Sequence, residues 1–332
     1  MFQHILVPLD GSPRAEQALP VAARLARTSG GTITLVQIVR LAPEAMSYSL
    51  EGPFLPQTLF QRDLADARSS LDQVSRRSDL KGITLEKRVD LGDPAATILS
   101  YAEQQPVDLI VMSSHGYTGM KRWLLGSVAE KIARHAPAPV LILREDGPLR
   151  LDGMGAVRAL VPLDTSARSQ DAIPPASALV SALSSPEHGH LQLTHMVVVP
   201  EDAGGAEKEA LLRAARQHLE AVSQGIREGL VANVGSDLHL TFSWAVSVDS
   251  DIAEGIVRVA ENGEQSADMG NAQCCDLIAI TTHGETGLHR WAVGSITERV
   301  LHATRLPLLI VRPADMIEKE RRQRESQVLA TG

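Results

Sequence analysis

Residues 114–132, SHGYTGMKRWLLGSVAEKI, return as THGETGLHRWAVGSITERV at 282–300, with glycines, tryptophan and serine in matching places. A second match, ILVPLDGS at 5–12 against ALVPLDTS at 159–166, carries the repeat back to the first strand-like run of each half. Such a chain folds as two copies of one unit, and its 332 residues let each copy bury a core of its own. The offset is 154 residues from Asp10 to Asp164 and 168 from Gly126 to Gly294, so the second copy holds 14 extra residues between these landmarks. The polar stretch ENGEQSADMGNAQCC at 261–275 reads as a surface loop that takes much of the excess.

Within each half, short apolar runs alternate with segments of helical period. In the first half the strands are expected at His4 to Pro8, Thr32 to Val39, Thr84 to Val89, Leu109 to Ser113 and Val140 to Leu143. Phe60, Leu64, Ala67, Leu71 and Val74 form one helical stripe, and Leu212, Ala215, Leu219, Val222 and Ile226 form its equivalent in the second half. Runs such as 109–112 (LIVM) and 277–280 (LIAI) are apolar on both faces, as parallel strands covered from both sides must be. The expected fold class is therefore α/β: two tandem open five-stranded parallel sheets, Rossmann-like, with helices on both faces. In a 3-2-1-4-5 order the first and fourth strands meet where the order reverses, and ligands of such sheets sit there. Both repeated motifs end those two strands, so they would face one crevice.

The expected boundaries are a first domain at 1–147, a linker at 148–155, a second domain at 156–313 and a charged tail at 314–332. That tail, ADMIEKERRQRESQVLATG from Ala314, reads as a mobile segment or a short surface helix. Net charge is −8, with no long basic run, which argues against a nucleic-acid partner. No apolar stretch has bilayer-spanning length and no leader-like segment opens the chain, so a cytoplasmic protein without a membrane partner is expected. Cys274 and Cys275 are neighbours, which disfavours a structural disulfide and supplies no metal framework.

The repeated motif suits anion binding. A glycine after the fourth strand, Gly116 or Gly284, allows the backbone to approach closely, and the following loop can aim amides at a negative group. Gly126-Ser127 then opens a helix, whose free amides and positive dipole end suit phosphate, with Lys121 and Arg122 nearby. A second reading is purely structural: Ser127 to Glu130 and Ser295 to Glu298 each fit a capping box. Asp10 ends the first strand ahead of Ser12, an N-cap candidate, and Pro13; it either accepts a hydrogen bond from a ligand or stabilises its own turn. Both pairs of readings stay open from the residues alone. His115 and His283 lack ligand-spaced partners and read as loop-packing residues, as Trp123 and Trp291 read as loop anchors.

These residues resemble the universal stress protein family, two UspA-type domains head to tail, over nearly the whole chain up to about Pro313. The nucleotide-binding branch of that family carries glycine, two residues, glycine, nine residues, then glycine with serine or threonine. Here SSHGYTGMKRWLLGS from Ser113 and TTHGETGLHRWAVGS from Thr281 keep the second and third glycines, while Ser113 and Thr281 stand in place of the first. The resemblance implies adenine and ribose contacts at Pro8, Asp10 and Ile38. It implies phosphate contacts at Met112, Ser113, Ser114, His115, Gly116, Tyr117 and Thr118, and at Gly126, Ser127 and Val128. For the second copy the matching positions are Pro162, Asp164 and Met196, then Ile280, Thr281, Thr282, His283, Gly284, Glu285 and Thr286, then Gly294, Ser295 and Ile296.

The implied ligand is ATP, with AMP or ADP as alternatives and Mg2+ as a companion ion. The implied role is a stress-response regulator. The resemblance further implies that the fifth strands pair, the two domains forming an intrachain pseudo-dimer, and leaves room for a homodimer. Glu285 replaces Tyr117 and His289 replaces Lys121, so the second site is expected to bind nucleotide more weakly. A non-nucleotide-binding scaffold or partner-binding protein is the alternative. The chain lacks the motifs of dinucleotide enzymes and P-loops and has no paired nucleophile and base, which leaves at most slow ATP hydrolysis.

Overall fold

The most apolar stretches of each copy become the central strands. The computed structural model describes residues 2–40, 57–114, 125–144, 149, 155–229, 238–263, 273–284 and 294–331. The chain divides into two compact units, Met1–Glu145 and Asp146–Gly332.

In the first unit, β1 (His4–Leu9), α1 (Ala18–Ser29), β2 (Thr32–Val39), α2 (Gln57–Val74) and β3 (Thr84–Leu91) are followed by α3 (Pro94–Gln104), β4 (Leu109–Ser113), α4 (Ser127–His135) and β5 (Val140–Leu143). The strands pair in parallel in the order β3-β2-β1-β4-β5, with Ile5 opposite Leu109 and His4 opposite Thr32. Ile5, Leu6 and Val7 of β1 and Leu109, Ile110 and Val111 of β4 are buried on both faces, which only central parallel strands achieve. The outer strand β3 is largely exposed and correspondingly charged. The α2 stripe faces the core: Phe60, Ala67, Leu71 and Val74 are buried and Leu64 is half-buried.

The second unit repeats the plan with β6 (Arg158–Pro162), α5 (Ile173–Ser184), β7 (Gly189–Val197), α6 (Gly205–Arg227), β8 (Leu240–Val248), α7 (Ile252–Asn262), β9 (Leu277–Thr281), α8 (Ser295–Ala303) and β10 (Leu308–Val311). Its parallel order is β8-β7-β6-β9-β10, and Arg158 stands opposite His190 as His4 stands opposite Thr32. Ala215, Leu219, Val222 and Ile226 of the expected α6 stripe are buried, with Leu212 half-buried.

Two N-caps fix the crossover helices beside the strand ends. Asp93 accepts from the Ala96 amide at 3.0 Å ahead of Pro94, and Asp251 accepts from the Glu254 amide at 3.0 Å. Pro94 therefore corresponds to Ile252, an offset of 158, whereas Leu109 corresponds to Leu277, an offset of 168. Ten extra residues thus fall between α7 and β9, the stretch read as a loop. Its first two residues, Glu261 and Asn262, belong to α7, and 264–272 lie outside the described residues. Cys275 is buried ahead of β9, and burial pushes its thiol up to about 12, so it behaves as a core residue.

The charged tail forms a helix, α9 (Ala314–Thr331), longer than the short surface helix expected from its sequence. Its start is held by the 3-10 segment Ala167–Ala172: the Asp171 carboxylate accepts from the Ala314 amide at 2.9 Å, and Arg168 meets Asp315 at 2.7 Å. Arg312, almost fully buried, pairs with Glu320 at 2.7 Å. Among the described residues no helix is long and apolar enough to cross a membrane.

His190 on β7 lies between two β8 hydroxyls, with Nδ1 2.8 Å from Thr241 Oγ1 and Nε2 2.7 Å from Ser243 Oγ. Burial first, then the Arg158 charge, lower its pKa from 6.5 to about 4. The unfolded chain takes up this proton near pH 6.5 and the folded one only near 4, so acid in that window favours unfolding. Water still reaches part of the ring, and the cost is about 1–2 kcal/mol rather than the full shift. Urea midpoints should therefore fall between pH 7 and pH 4.5, and His190→Gln should lessen the fall; an unchanged slope would exclude His190 as its cause.

Candidate functional site

In the first unit, the ends of β1, β2 and β4 and the starts of α3 and α4 reach one cavity. At the end of β1, Asp10 Oδ1 accepts from both the Ser12 amide at 3.0 Å and the Ser12 hydroxyl at 2.6 Å. Ser12 Oγ in turn accepts from the Ala15 amide at 3.2 Å, just ahead of a 3-10 segment at Ala15–Gln17 whose N-cap is Arg14, so neither Ser12 as N-cap nor Pro13 as first helical residue describes the start of this segment. Asp10 thus bonds within its own turn, and it also lines the cavity.

At the end of β4, the chain leaves through Ser113 and Ser114 and returns at Gly126. The Gly126 amide donates to the Ser114 carbonyl at 2.8 Å, which clamps the start of α4 against the strand end. Gly126 has extended backbone angles and is the N-cap itself, without a side-chain cap. The capping-box reading is therefore overturned: Ser127 is the first helical residue, one place too late to cap. Glu130 bonds through its amide to the Gly126 carbonyl at 2.9 Å, and its carboxylate takes Arg134 at 2.8 Å. The amides of Ser127, Val128 and Ala129 consequently have no intrahelical acceptor, as in the first turn of any helix, and the N-cap glycine has no side chain to replace one. All three residues line the cavity.

That cavity measures about 340 Å3. It brings together Pro8, Asp10 and Ile38, then Met112, Ser113 and Ser114, then Gly126, Ser127 and Val128. His115, Gly116, Tyr117 and Thr118 lie outside the described residues, as do Lys121, Arg122 and Trp123. Arg40, just beyond β2, and Pro94 and Ile98, from α3, also line the cavity and were not anticipated. The signal for the last two was Asp93-Pro94, an N-cap and first helical residue placed directly after β3.

The second unit builds the same frame. Asp164 Oδ1 accepts from the Ser166 amide at 2.9 Å and its hydroxyl at 2.5 Å, and the Gly294 amide donates to the Thr282 carbonyl at 2.7 Å. Gly294 is again the N-cap without a side-chain cap, so Ser295 does not cap either. Pro162, Asp164, Met196, Ile280 and Thr281, with Gly284, Gly294, Ser295 and Ile296, line a cavity of only about 100 Å3. Thr282 and His283 do not line it: they are buried at 0% and 6% exposure, with His283 Nδ1 3.0 Å from Thr282 Oγ1. The Thr281 hydroxyl is turned to the His283 carbonyl at 3.1 Å, and Thr297 donates to the Thr281 carbonyl at 2.8 Å. Glu285 and Thr286 lie outside the described residues, with His289 and Trp291.

Gly284 is required by close approach. A Cβ there would collide with Asp164 Oδ2. Gly284→Ala should force the carboxylate aside, loosen its Ser166 contacts and destabilise the second unit by about 1–3 kcal/mol. A urea midpoint equal to that of the unsubstituted chain would show that Asp164 has room to move.

Sequence and structure comparisons agree with this duplicated frame. The model of the universal stress protein family matches residues 1–144 and again 157–312. Universal stress protein YxiE of Bacillus subtilis is 32% identical over 149 residues, 43% of this chain and 100% of that protein. A universal stress protein of Methanocaldococcus jannaschii is 28% identical over 145 residues, 44% of this chain and 84% of its own. The crystal structure of a universal stress protein from Archaeoglobus fulgidus shares the fold, with a TM-score of 0.62 at 19% identity, over 93% of this chain and 98% of that one. Matched twice by the family's own pattern, the chain belongs to the universal stress protein family.

Proposed function

We propose that the first unit binds an adenine nucleotide, ATP or its di- or monophosphate, and that the protein acts as a stress-response regulator through that site. One observation carries the reading: the uncapped start of α4 opens on the same cavity as Asp10 and the apolar side chains of Ile38 and Met112. Three amides without an intrahelical acceptor and the positive end of the helix suit phosphate. Apolar walls suit a planar base, and the Asp10 carboxylate suits a ribose hydroxyl. Its volume of about 340 Å3 lies within the roughly 300–1,000 Å3 range of small-molecule sites. Mg2+ would enter with the phosphates.

The reading assigns binding rather than turnover. Asp10 Oδ1 already accepts two bonds from Ser12, an arrangement that orients the carboxylate instead of poising it as a base for water. The second cavity, at about 100 Å3, falls below the usual range, which supports the first site as the stronger.

Calorimetric titration with MgATP tests the proposal, alongside mass spectrometry of small molecules released from gently purified protein. Ser127→Asp is the informative variant. A carboxylate in the first turn favours the helix yet repels phosphate, so the fold should hold while affinity drops about tenfold or more. Binding that is unaffected by Ser127→Asp would place the phosphates elsewhere. No binding at millimolar ATP in the unsubstituted protein would favour the scaffold reading.

A further inference from the structure

The two cavities share a backbone frame but differ more than threefold in volume, about 340 Å3 against about 100 Å3. Strand register shows which positions of the two cavities correspond. His4 faces Thr32 as Arg158 faces His190, so Ile38 near the end of β2 corresponds to Met196 near the end of β7. The N-caps Asp93 and Asp251 align the next helices, so Thr97 of α3 corresponds to Gly255 of α7.

Met196 and Gly255 fit each other. Met196 is 8% exposed, lines the second cavity and runs from β7 to α7, where its Cε occupies the space that a Cβ on Gly255 would need. Glycine is the poorest helix former after proline, and Gly255 stands in the second turn of a helix where most residues would serve better. The contact with Met196 gives it a packing reason. Isoleucine at the corresponding position has a chain one atom shorter, whereas unbranched methionine fills irregular gaps. Ile252 for Pro94 and Thr297 for Ala129 add bulk as well, but the Thr297 hydroxyl is turned back to the Thr281 carbonyl.

The geometry points to Met196 as a built-in plug: seated on Gly255, it occupies the part of the second site that the base would take in the first, so each chain binds one nucleotide rather than two. This rests on the proposed nucleotide site of the first unit. The second unit keeps the aspartate turn and the open helix start, and what it lacks is room between β7 and α7. Removing the plug should restore a site.

The test is calorimetric stoichiometry with MgATP on the full chain, unsubstituted and carrying Met196→Ala or Met196→Ile, with thermal unfolding to verify that each variant is folded. Met196→Ile conserves most of the volume, copies the first unit, and decides the matter should Met196→Ala fail to fold. The expected result is one site per chain before substitution and two after it. One site both before and after would overturn the plug and leave the first site standing. Two sites in the unsubstituted chain would overturn it as well, because Met196 would then exclude nothing. No site before and one after would uphold the plug and remove the first-site reading, while no site in either would overturn both.

Discussion

One backbone hydrogen bond organises each unit's site: Gly126 to the Ser114 carbonyl in the first, Gly294 to the Thr282 carbonyl in the second. It ties the beginning of a helix to the end of the central strand, whatever the intervening loop contains. Because the glycine amide is spent on this clamp, the helix presents its next three amides to the cavity. Because the glycine is also the N-cap, no N-cap side chain covers them. The positive end of the helix is therefore left for something outside the helix to satisfy.

The strands and the buried stripes of α2 and α6 were legible because apolar periodicity reports directly on the cores of parallel sheets. The aspartate turns were legible only as alternatives. A carboxylate that holds its own turn and one that faces a ligand have the same sequence, and Asp10 does the first while lining the cavity. The capping box failed by a single position. Ser-x-x-Glu fits the pattern at 127–130 and 295–298, but the preceding glycine takes the cap once its amide is claimed by the strand end, a long-range contact that no local pattern contains. Arg40, Pro94 and Ile98 were missed for a related reason: they come from the end of β2 and from α3, which reach the cavity through strand order. The α9 tail looked solvated because its anchors, Arg168 and Asp171, lie far away in sequence.

Duplication has preserved the frame and changed its contents. The turn, the clamp and the open helix start recur in both units with similar distances. Between β7 and α7, Met196 stands for Ile38 and Ile252 for Pro94, while Gly255 stands for Thr97, and the hydroxyls of Thr281 and Thr297 bond within the protein. Backbone features are harder to alter than side-chain volumes, since loss of the clamp would release a helix whereas Met196 is added at one position.

The six-residue segment Ala167–Ala172 has two attachments. Ser169 lines the second cavity, while Arg168 and Asp171 grip the start of α9. Cavity wall and C-terminal helix thus share one short segment of chain, so a substitution at the start of α9 meets residues next to the interior of the second unit rather than a free surface.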